Sequence, residues 1–321
     1  KEKLVVVDGF NFFFRAFYAV RSLTRSDGFP TNALYGFTQM LLKVIEDVQS
    51  HYLAVAIDTP RTFRHDIYPD YKGHRKEPEE EMLQQIPMLE PLVQAFGIQT
   101  LKLENYEADD LIARWIDKHP NNKHVILSTD KDLNQLINEN VKQYNGITET
   151  TITHEGWFDN KNNPVIDKKT DAPKGAPDIE WIIFEKSMRG DPSDNIFSAY
   201  PGVRTKGTKN KIGLLEAFDD RNKQGYNWNN LMLQRWVDHD GKEHKVLDDY
   251  ERNRKLIDLS EQPKWVKTTM DETITEVVNK PKIPQVGIHF MKFCGKYNLQ
   301  RIGSQVQDHA LYLTAGYNNV N

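Results

Sequence analysis

The feature that most constrains the fold is the alternation of short apolar segments with helical segments along the first part of the chain. Lys3–Asp8 reads KLVVVD, residues 52–58 read YLAVAID and residues 124–129 read HVILST. Short, continuous apolar runs are typical of strands that are buried on both faces of a sheet. Between these runs lie segments with helical periodicity, at residues 32–48, 79–96 and 106–118. This order predicts an α/β fold with a central, mostly parallel sheet flanked by helices.

Acidic residues follow the predicted strands. Asp8, Asp58 and Asp130 stand at the ends of three of them, and ligands of open α/β sheets bind outside the carboxyl ends of the strands. Nine carboxylates form five patches in all: Asp8; Asp58; Glu107, Asp109 and Asp110; Asp130 and Asp132; Asp191 and Asp194. Carboxylates brought together in a folded core repel one another unless divalent cations neutralise them. The pattern therefore predicts a two-metal phosphodiesterase.

The spacing within the patches supports this interpretation. Asp130 and Asp132 are two residues apart after a strand, so in extended backbone their side chains are expected on the same side. Asp191 and Asp194 have the spacing that puts two carboxylates on one face of a helical turn. Each pair alone is more often structural than functional. Three or four such groups together can hold a hard divalent cation through oxygen atoms.

The net charge of −4 hides two basic segments. Residues 61–76 contain Arg61, Arg64, Lys72, Arg75 and Lys76, and residues 204–211 contain Arg204, Lys206, Lys209 and Lys211. Residues 60–78 are polar and rich in proline, so an exposed insertion is predicted there. Its aromatic residues, such as Tyr71, suit base stacking beside phosphate contacts. Basic segments beside an acidic pocket suit a polyanionic substrate.

Other properties limit where such a protein works. The single cysteine, Cys294, excludes an internal disulfide and fits a reducing compartment. The apolar runs are too short to cross a bilayer, and the chain enters a strand almost at once. We therefore expect a cytoplasmic protein, in the cytoplasm of the host if it is phage-encoded, with no membrane association.

The second half of the chain is predicted to be mainly helical. Helical periodicity occurs at residues 179–188, 212–218, 228–237, 247–259 and 286–297. A turn is predicted at residues 238–242. We therefore expect two domains, an α/β core at residues 1–178 and a helical region at residues 179–321.

Six strings of the sequence resemble one family in the same order along the chain. They are VVVDGFNFFFRAFYAV (5–20), GFPTNALYGFTQML (28–41), AIDTPRTFRHDIYPDYKGHR (56–75), YEADDLIA (106–113), STDKDLNQLI (128–137) and MRGDPSDNI (188–196). The chain resembles the 5′ nuclease or flap endonuclease family, which includes the 5′-nuclease domain of bacterial DNA polymerase I and stand-alone phage enzymes of the ribonuclease H type. The fold implied is PIN-like or resolvase-like.

The resemblance implies roles for the acids. It assigns four residues to a first metal ion, namely Asp8, Asp58, Glu107 and Asp109. It assigns four others to a second ion, namely Asp130, Asp132, Asp191 and Asp194. Asp110 is similar to a further acid of the site. The implied cofactors are two Mg²⁺ ions, for which Mn²⁺ can substitute, and Asp8 and Asp130 are the acids expected to matter most for catalysis.

The resemblance also implies how nucleic acid is held. Residues 60–90 match the family's helical arch, in which Lys72 and Arg75 are expected to contact the scissile phosphate. Further nucleic-acid contacts are expected from cations and one aromatic residue, namely Arg15, Arg61, Arg64, Tyr71 and Lys76. For Arg15 a plain surface role is equally favoured.

Residues 188–218 resemble the helix–three-turn–helix element that grips a duplex without reading bases. Its expected contacts are Gly202, Arg204, Lys206, Lys209 and Lys211. The family's glycine-rich hairpin, of the type GVPGIGxKTA, is replaced here by GVRTKGTKNKIG at residues 202–213. Amides of Gly202, Gly207 and Gly213 are expected to cradle phosphate. This departure leaves the family's monovalent K⁺ site undecided.

Several functions remain open from the sequence. The main expectation is a monomeric, metal-dependent 5′→3′ exonuclease and 5′-flap endonuclease. It would act on branched, flapped or nicked duplex DNA and on RNA–DNA hybrids, in primer removal and repair. A single-strand-binding protein or a sliding clamp is a candidate partner. The alternatives are a PIN-type endoribonuclease and a catalytically silent binder of branched DNA.

Two other enzyme classes fit less well. An aspartyl-phosphate phosphatase needs a second acid two residues after Asp8, where this chain has Phe10. A dinucleotide-dependent enzyme needs a GxGxxG string after the first strand, and the sequence lacks it there.

Overall fold

A computed structural model of the chain describes residues 3–48, 50, 52–281 and 286–304. The chain forms two compact units. The sheet unit consists of Lys1–Pro60, Glu77–Ala176 and Lys264–Asn321, and the helical unit consists of Arg61–Lys76 and Pro177–Pro263. The predicted domain division at residue 178 stays a prediction. Residues 305–321 of the predicted helical domain lie outside the described residues.

The sheet unit is built on a seven-stranded sheet with the order β3-β2-β1-β4-β5-β6-β7. Its strands are β1 (Lys3–Asp8), β2 (Tyr52–Ala56), β3 (Gln99–Leu101), β4 (Lys123–Leu127), β5 (Val141–Asn145), β6 (Thr150–Thr153) and β7 (Gly156–Phe158). The pairs among β1 to β5 are parallel, and β6 and β7 are added antiparallel at one edge. The predicted mostly parallel sheet is confirmed. A two-stranded hairpin, β8 (Ile166–Asp167) and β9 (Ala172–Pro173), also belongs to this unit.

The pairing register places the carboxyl ends of β1, β2 and β4 at the same height in the sheet. Asp8 on β1 lies opposite Ala56 on β2, and Val7 lies opposite Leu127 on β4. The residues that follow these strands, including Asp58 and Asp130, therefore leave the sheet at the same edge. This edge is the carboxyl end of three parallel strands, where the sequence predicts the site.

Helices flank the sheet, and they are the main regular elements of the helical unit. They are α1 (Gly9–Ala19), α2 (Asn32–Val48), α3 (Arg64–Ile67), α4 (Glu80–Gln85), α5 (Leu89–Ala95), α6 (Ala108–Lys118), α7 (Ile179–Arg189), α8 (Leu214–Asp219), α9 (Tyr226–Met232), α10 (Val246–Ile257), α11 (Lys264–Asn279), α12 (Val286–Lys296) and α13 (Gln300–Gly303). In the sheet unit α1 packs on α2, with Phe12 and Phe13 of α1 against Phe37 of α2 at ring-centroid distances of 6.4 and 6.2 Å. All three rings are fully buried, and this packing fixes α1, which starts directly after Asp8.

The single helix predicted at residues 79–96 is wrong. The structure has α4 and α5, separated by a 3₁₀ turn at Ile86–Met88 that contains Pro87. Proline has no amide hydrogen and its ring clashes with the preceding helical turn, so in the interior of a helix it causes a kink or a break.

In the helical unit the predicted helices at 179–188, 212–218 and 247–259 are confirmed as α7, α8 and α10. The helix predicted at 228–237 is wrong beyond Met232. Residues there form strand β10 (Arg235–Val237), which pairs with β11 (Glu243–Lys245) around the predicted turn. Phe184, Trp228 and Tyr250 pack together in the core of this unit.

Helix α11 was not predicted from the sequence. Its buried residues Val266, Met270, Ile274 and Val277 recur at helical spacing. Its position is fixed by a two-armed ion pair, in which Arg114 on α6 donates to Asp271 with both distances 2.9 Å. In the part of the chain that the structure describes, no helix is long and apolar enough to span a bilayer.

Candidate metal centre and nucleic-acid interface

Three acids of the sheet unit converge at the carboxyl ends of the parallel strands. Asp8 ends β1, Asp130 follows β4, and Asp109 lies in the first turn of α6. Each offers a carboxylate oxygen within 4.8 Å of the others. The convergence of Asp8 and Asp130 follows from the register of β1 and β4, and α6 adds the third acid from its N-terminal turn.

Burial and mutual repulsion both raise the pKa values of two of these acids, Asp8 and Asp109. Burial, with the neighbouring charges of Asp58 and Asp130, raises the pKa of Asp8 to about 8. Burial and the charges of Asp130, Asp8, Asp58 and Glu107 also raise the pKa of Asp109. Five acids of the sheet unit therefore share one electrostatic neighbourhood. Keeping them ionised requires a compensating positive charge.

The donor chemistry fits a hard divalent ion. Asp8, Asp109 and Asp130 offer carboxylate oxygens, the ligand type that Mg²⁺ and Mn²⁺ prefer. A bound ion would offset both the burial and the repulsion that raise the pKa of Asp8. The residues present thus fit the kind of cofactor that the sequence predicts.

Asp58 and Glu107 lie beside this cluster, whereas Asp110 has a different role. Asp58 accepts a hydrogen bond from the amide of Ala108 at 2.8 Å, which ties it to the N-terminus of α6. The fully buried Asp110 accepts from the amide of Glu107 at 3.0 Å, in a capping box that closes the start of α6. Its contacts therefore favour a structural role in aiming Glu107 and Asp109.

Residues that sequence reasoning did not single out support the cluster. The hydroxyl of Ser128 donates to Asp8 at 2.9 Å and accepts from the amide of Asp130 at 3.0 Å. Gln143 on β5 donates to the carbonyl oxygens of Ser128 and Asp130 at 3.0 and 2.7 Å. Both side chains are buried and polar. The sequence offered one signal, a polar residue within or directly after a predicted strand, as Ser128 directly follows Leu127.

The extended geometry predicted for Asp130 and Asp132 is wrong. Asp130 caps a 3₁₀ helix, Lys131–Leu136, and accepts a hydrogen bond from the amide of Asp132 at 2.9 Å. Asp132 therefore lies in the first turn of that helix, and the period-two rule for strands does not apply to the pair.

Asp191 and Asp194 belong to the helical unit, where Asp191 caps a 3₁₀ turn, Pro192–Asp194, and Asp194 is its last residue. They offer oxygens within 4.8 Å of each other. Lys186 lies 2.8 Å from Asp191, and Arg75 lies 2.7 Å from Asp194. Burial raises the pKa of Asp191, but hydrogen bonds from Lys186 and Ser193 outweigh it and leave the pKa lowered.

The basic residues around residue 70 divide into exposed and buried ones. Arg75 and Lys76 are exposed, and exposed Arg61 pairs with Asp66 at 2.7 Å. Lys72 is half-buried, with its Nζ 5.1 Å from the ring centroid of Tyr71. The side chains of Arg61, Arg75 and Lys76 are therefore accessible from solvent.

The predicted exposure of residues 60–78 is wrong for Arg64 and Tyr71. Arg64 is 2% exposed and donates to the carbonyl oxygen of Leu256 at 2.8 Å. Tyr71 is 4% exposed and packs with Ile196 and Leu256. A buried ring cannot stack on a base, so both residues fasten this segment to the rest of the helical unit. Arg15 on α1 is partly buried, and burial lowers its pKa.

The basic hairpin at residues 202–213 presents Arg204, Lys206, Lys209 and Lys211 as exposed side chains, and Gly202 is exposed as well. Two of the expected phosphate-binding amides are already bonded. The amides of Gly207 and Gly213 donate to the carboxylate of Glu216, at 2.9 and 3.0 Å. The expectation that these two amides cradle phosphate is therefore wrong, because an internal carboxylate occupies them.

We expect Glu216→Ala to weaken duplex binding by up to about fivefold, because it removes the cap that holds the hairpin carrying Lys209 and Lys211. Glu216→Gln, which keeps one acceptor oxygen, should lose less. Titration of a labelled duplex at several salt concentrations measures this. Tighter binding by Glu216→Ala would instead mean that the released amides take up phosphate.

Comparison with solved structures defines the class of fold. The T5 flap endonuclease in complex with DNA and metal ions superposes with a TM-score of 0.57 and 19% identity, over 87% of this chain and 100% of that chain. The T5 5′-exonuclease with zinc ions bound gives a TM-score of 0.56 and 18% identity, over 86% of this chain and 99% of that chain. At this identity the likeness establishes the fold, a resolvase-like α/β sheet flanked by helices.

Sequence comparison then gives the family. A family model described as 5′-3′ exonuclease, N-terminal resolvase-like domain, matches residues 3–163. The 5′-3′ exonuclease of Aquifex aeolicus is 36% identical over 228 residues, which are 70% of this chain and 73% of that protein. DNA polymerase I of Bacillus subtilis is 37% identical over 226 residues, 70% of this chain but 24% of that protein. The chain belongs to the 5′-3′ exonuclease family of nucleases.

Proposed function

We propose that the protein is a divalent-metal-dependent nuclease that removes nucleotides from 5′ ends and cuts 5′ flaps. The observation that carries the proposal is the convergence of Asp8, Asp109 and Asp130 within 4.8 Å at the carboxyl edge of the sheet. Three carboxylates at that distance, in a protein of this family, suit metal-assisted hydrolysis of a phosphodiester.

Asp8, Asp109 and Asp130 would hold the first ion, with Asp58 and Glu107 completing its negative surroundings. This proposal moves Asp130 from the second ion, to which the resemblance assigns it, to the first. A bound Mg²⁺ or Mn²⁺ would supply Lewis-acid charge and lower the pKa of water at the phosphate. Ser128 and Gln143 would keep the acids in position throughout. A second ion at the predicted set that includes Asp132, Asp191 and Asp194 stays a prediction.

The helical unit would bind the sugar–phosphate backbone. Its exposed cations Arg204, Lys206, Lys209 and Lys211 suit sequence-independent, salt-sensitive contacts. The names of the relatives, 5′-3′ exonuclease and DNA polymerase I, support DNA as the substrate. We extend this to flapped, nicked and RNA-primed duplexes in primer removal and repair. The single-strand-binding protein, the sliding clamp and the monomeric state stay predictions.

The test is cleavage of a 5′-flap duplex with and without Mg²⁺. Metal-dependent release of short products from the 5′ side supports the proposal. Binding without cleavage would favour the silent binder of branched DNA. Internal cleavage of single-stranded RNA, with the flap left intact, would favour the PIN-type endoribonuclease.

We expect Lys72→Ala to slow the chemical step by about 100-fold and to weaken duplex binding much less, because a cation at the scissile phosphate acts mainly on the charge that develops in the transition state. Single-turnover rates and equilibrium binding separate the two effects. Lys168→Ala, at an exposed lysine of the β8–β9 hairpin, is the matched control. A change in affinity alone would make Lys72 a docking contact.

A further inference from the structure

Within the helical unit, residues 70–75 are fastened to the turn at residues 191–196 by three polar contacts. The amide of Lys72 donates to the carbonyl oxygen of Asp194 at 2.8 Å. Arg75 pairs with the carboxylate of Asp194 at 2.7 Å. The side-chain amide of Asn195 donates to the carbonyl oxygen of Asp70 at 2.8 Å. The first two contacts involve the expected phosphate-binding residues themselves, and the third is made by a residue with no assigned role.

The backbone of the turn aims the Asn195 side chain. Asn195 has φ 56° and ψ 34°, the left-handed conformation that asparagine and glycine adopt most readily. Two backbone hydrogen bonds between Asp191 and Ile196, at 2.8 and 2.9 Å, join the two ends of the turn. The amide of Asn195 is therefore held rigidly toward the segment that carries Lys72.

An apolar contact backs the polar ones. Ile196, next to Asn195, is 4% exposed and packs with the buried ring of Tyr71 and with Leu256. Tyr71 directly precedes Lys72, which itself has a left-handed backbone with φ 55°. Lys72 thus has a strained backbone conformation next to contacts with the turn at residues 191–196, through its own amide and through the ring of Tyr71, so its direction depends on these contacts.

We propose that Asn195 is a positioning residue that sets Lys72 and Arg75 for the substrate phosphate. The inference rests on the proposed function, because it needs Lys72 and Arg75 to act on that phosphate. The plain alternative is that Asn195 is present only because the turn needs a left-handed residue. Glycine would then serve equally well.

Asn195→Gly separates these two explanations, because glycine adopts the left-handed backbone readily and lacks the side chain that makes the hydrogen bond. We expect its single-turnover cleavage to fall about fivefold, the effect of one lost hydrogen bond, with duplex affinity unchanged. Asn162→Gly is the matched control, at an exposed asparagine with φ 64° in the sheet unit. A cleavage rate equal to wild type in Asn195→Gly would overturn the inference.

A double-mutant cycle tests whether Asn195 acts through the two cations. In a Lys72→Ala, Arg75→Ala background, Asn195→Gly should cause no further loss of rate. The same fivefold loss in that background would show that the turn affects cleavage by another route and would overturn the inference.

A readout without metal or DNA keeps the inference separate from the proposed function. Limited trypsin digestion of the free protein should cut after Lys72 and Arg75 faster in Asn195→Gly than in wild type or Asn162→Gly. If the wild type cleaves no flap, the proposed function fails, while digestion still reports on the contact. Equal digestion of all three proteins would overturn the positioning role.

Discussion

Asp130→Asn will lower cleavage of a 5′-flap duplex by on the order of 1,000-fold, because metal-assisted charge stabilisation is worth several kcal/mol and each factor of ten corresponds to about 1.4 kcal/mol. The substitution removes one negative charge from the cluster with Asp8 and Asp109. Duplex affinity should stay within about twofold of wild type, because backbone binding depends on cations elsewhere. Single-turnover cleavage and binding in the presence of Ca²⁺ measure the two quantities.

The local structure should survive this substitution. Asparagine can accept the hydrogen bond from the amide of Asp132 as aspartate does, and Gln143 bonds to the backbone oxygen of residue 130. Asp171→Asn is the matched control, at an exposed aspartate in the β8–β9 hairpin. Normal turnover by Asp130→Asn would remove this acid from the metal centre and with it the central observation of the proposed function.

The main elements of the site were predictable because their signals are local. Apolar runs with an aspartate at or shortly after their end mark β1 and β4, and parallel pairing then brings the strand ends together. The capping role of Asp110 was less visible, since an acid in the first turn of a helix serves equally well as a cap or as a ligand. Only the hydrogen bond to the amide of Glu107 distinguishes the two.

Three of the errors, at Arg64, Tyr71 and helix α11, arise where distant residues decide the local structure, whereas the helix predicted at residues 79–96 fails for a local reason, the proline at position 87. Arg64 looks like a surface cation, but its partner is the carbonyl oxygen of Leu256, 192 residues further along the chain. Tyr71 is covered in the same way by Ile196. Helix α11 was missed because its threonines and valines favour strands, although its buried residues keep helical spacing. In each case tertiary packing outweighs the local preference.

The second large prediction concerns stability in the absence of metal. With EDTA present, the melting temperature should fall as pH rises from about 4 toward 8, because Asp8 titrates near 8 in the folded protein and near 3.8 in the unfolded chain. A carboxyl group with a raised pKa stabilises the fold while protonated, and this contribution is lost as the pH rises through the folded pKa. The burial that raises the pKa of Asp109 adds in the same direction. Mg²⁺ should therefore stabilise the protein more at pH 8 than at pH 5.

Asp8→Asn isolates this effect, since it keeps an acceptor for the hydroxyl of Ser128 and cannot ionise. Burial lowers the pKa of His124 to about 4. Its contribution to the stability of the fold is therefore lost as the pH falls below about 6.5, which opposes the trend in wild type. The informative quantity is thus the difference in melting temperature between Asp8→Asn and wild type at each pH. We expect the variant in EDTA to be more stable at pH 8 by roughly 5 °C or more, with little difference at pH 4. A difference that does not change with pH would mean that Asp8 is already ionised in the metal-free fold at pH 4, so that burial and the neighbouring acids do not raise its pKa.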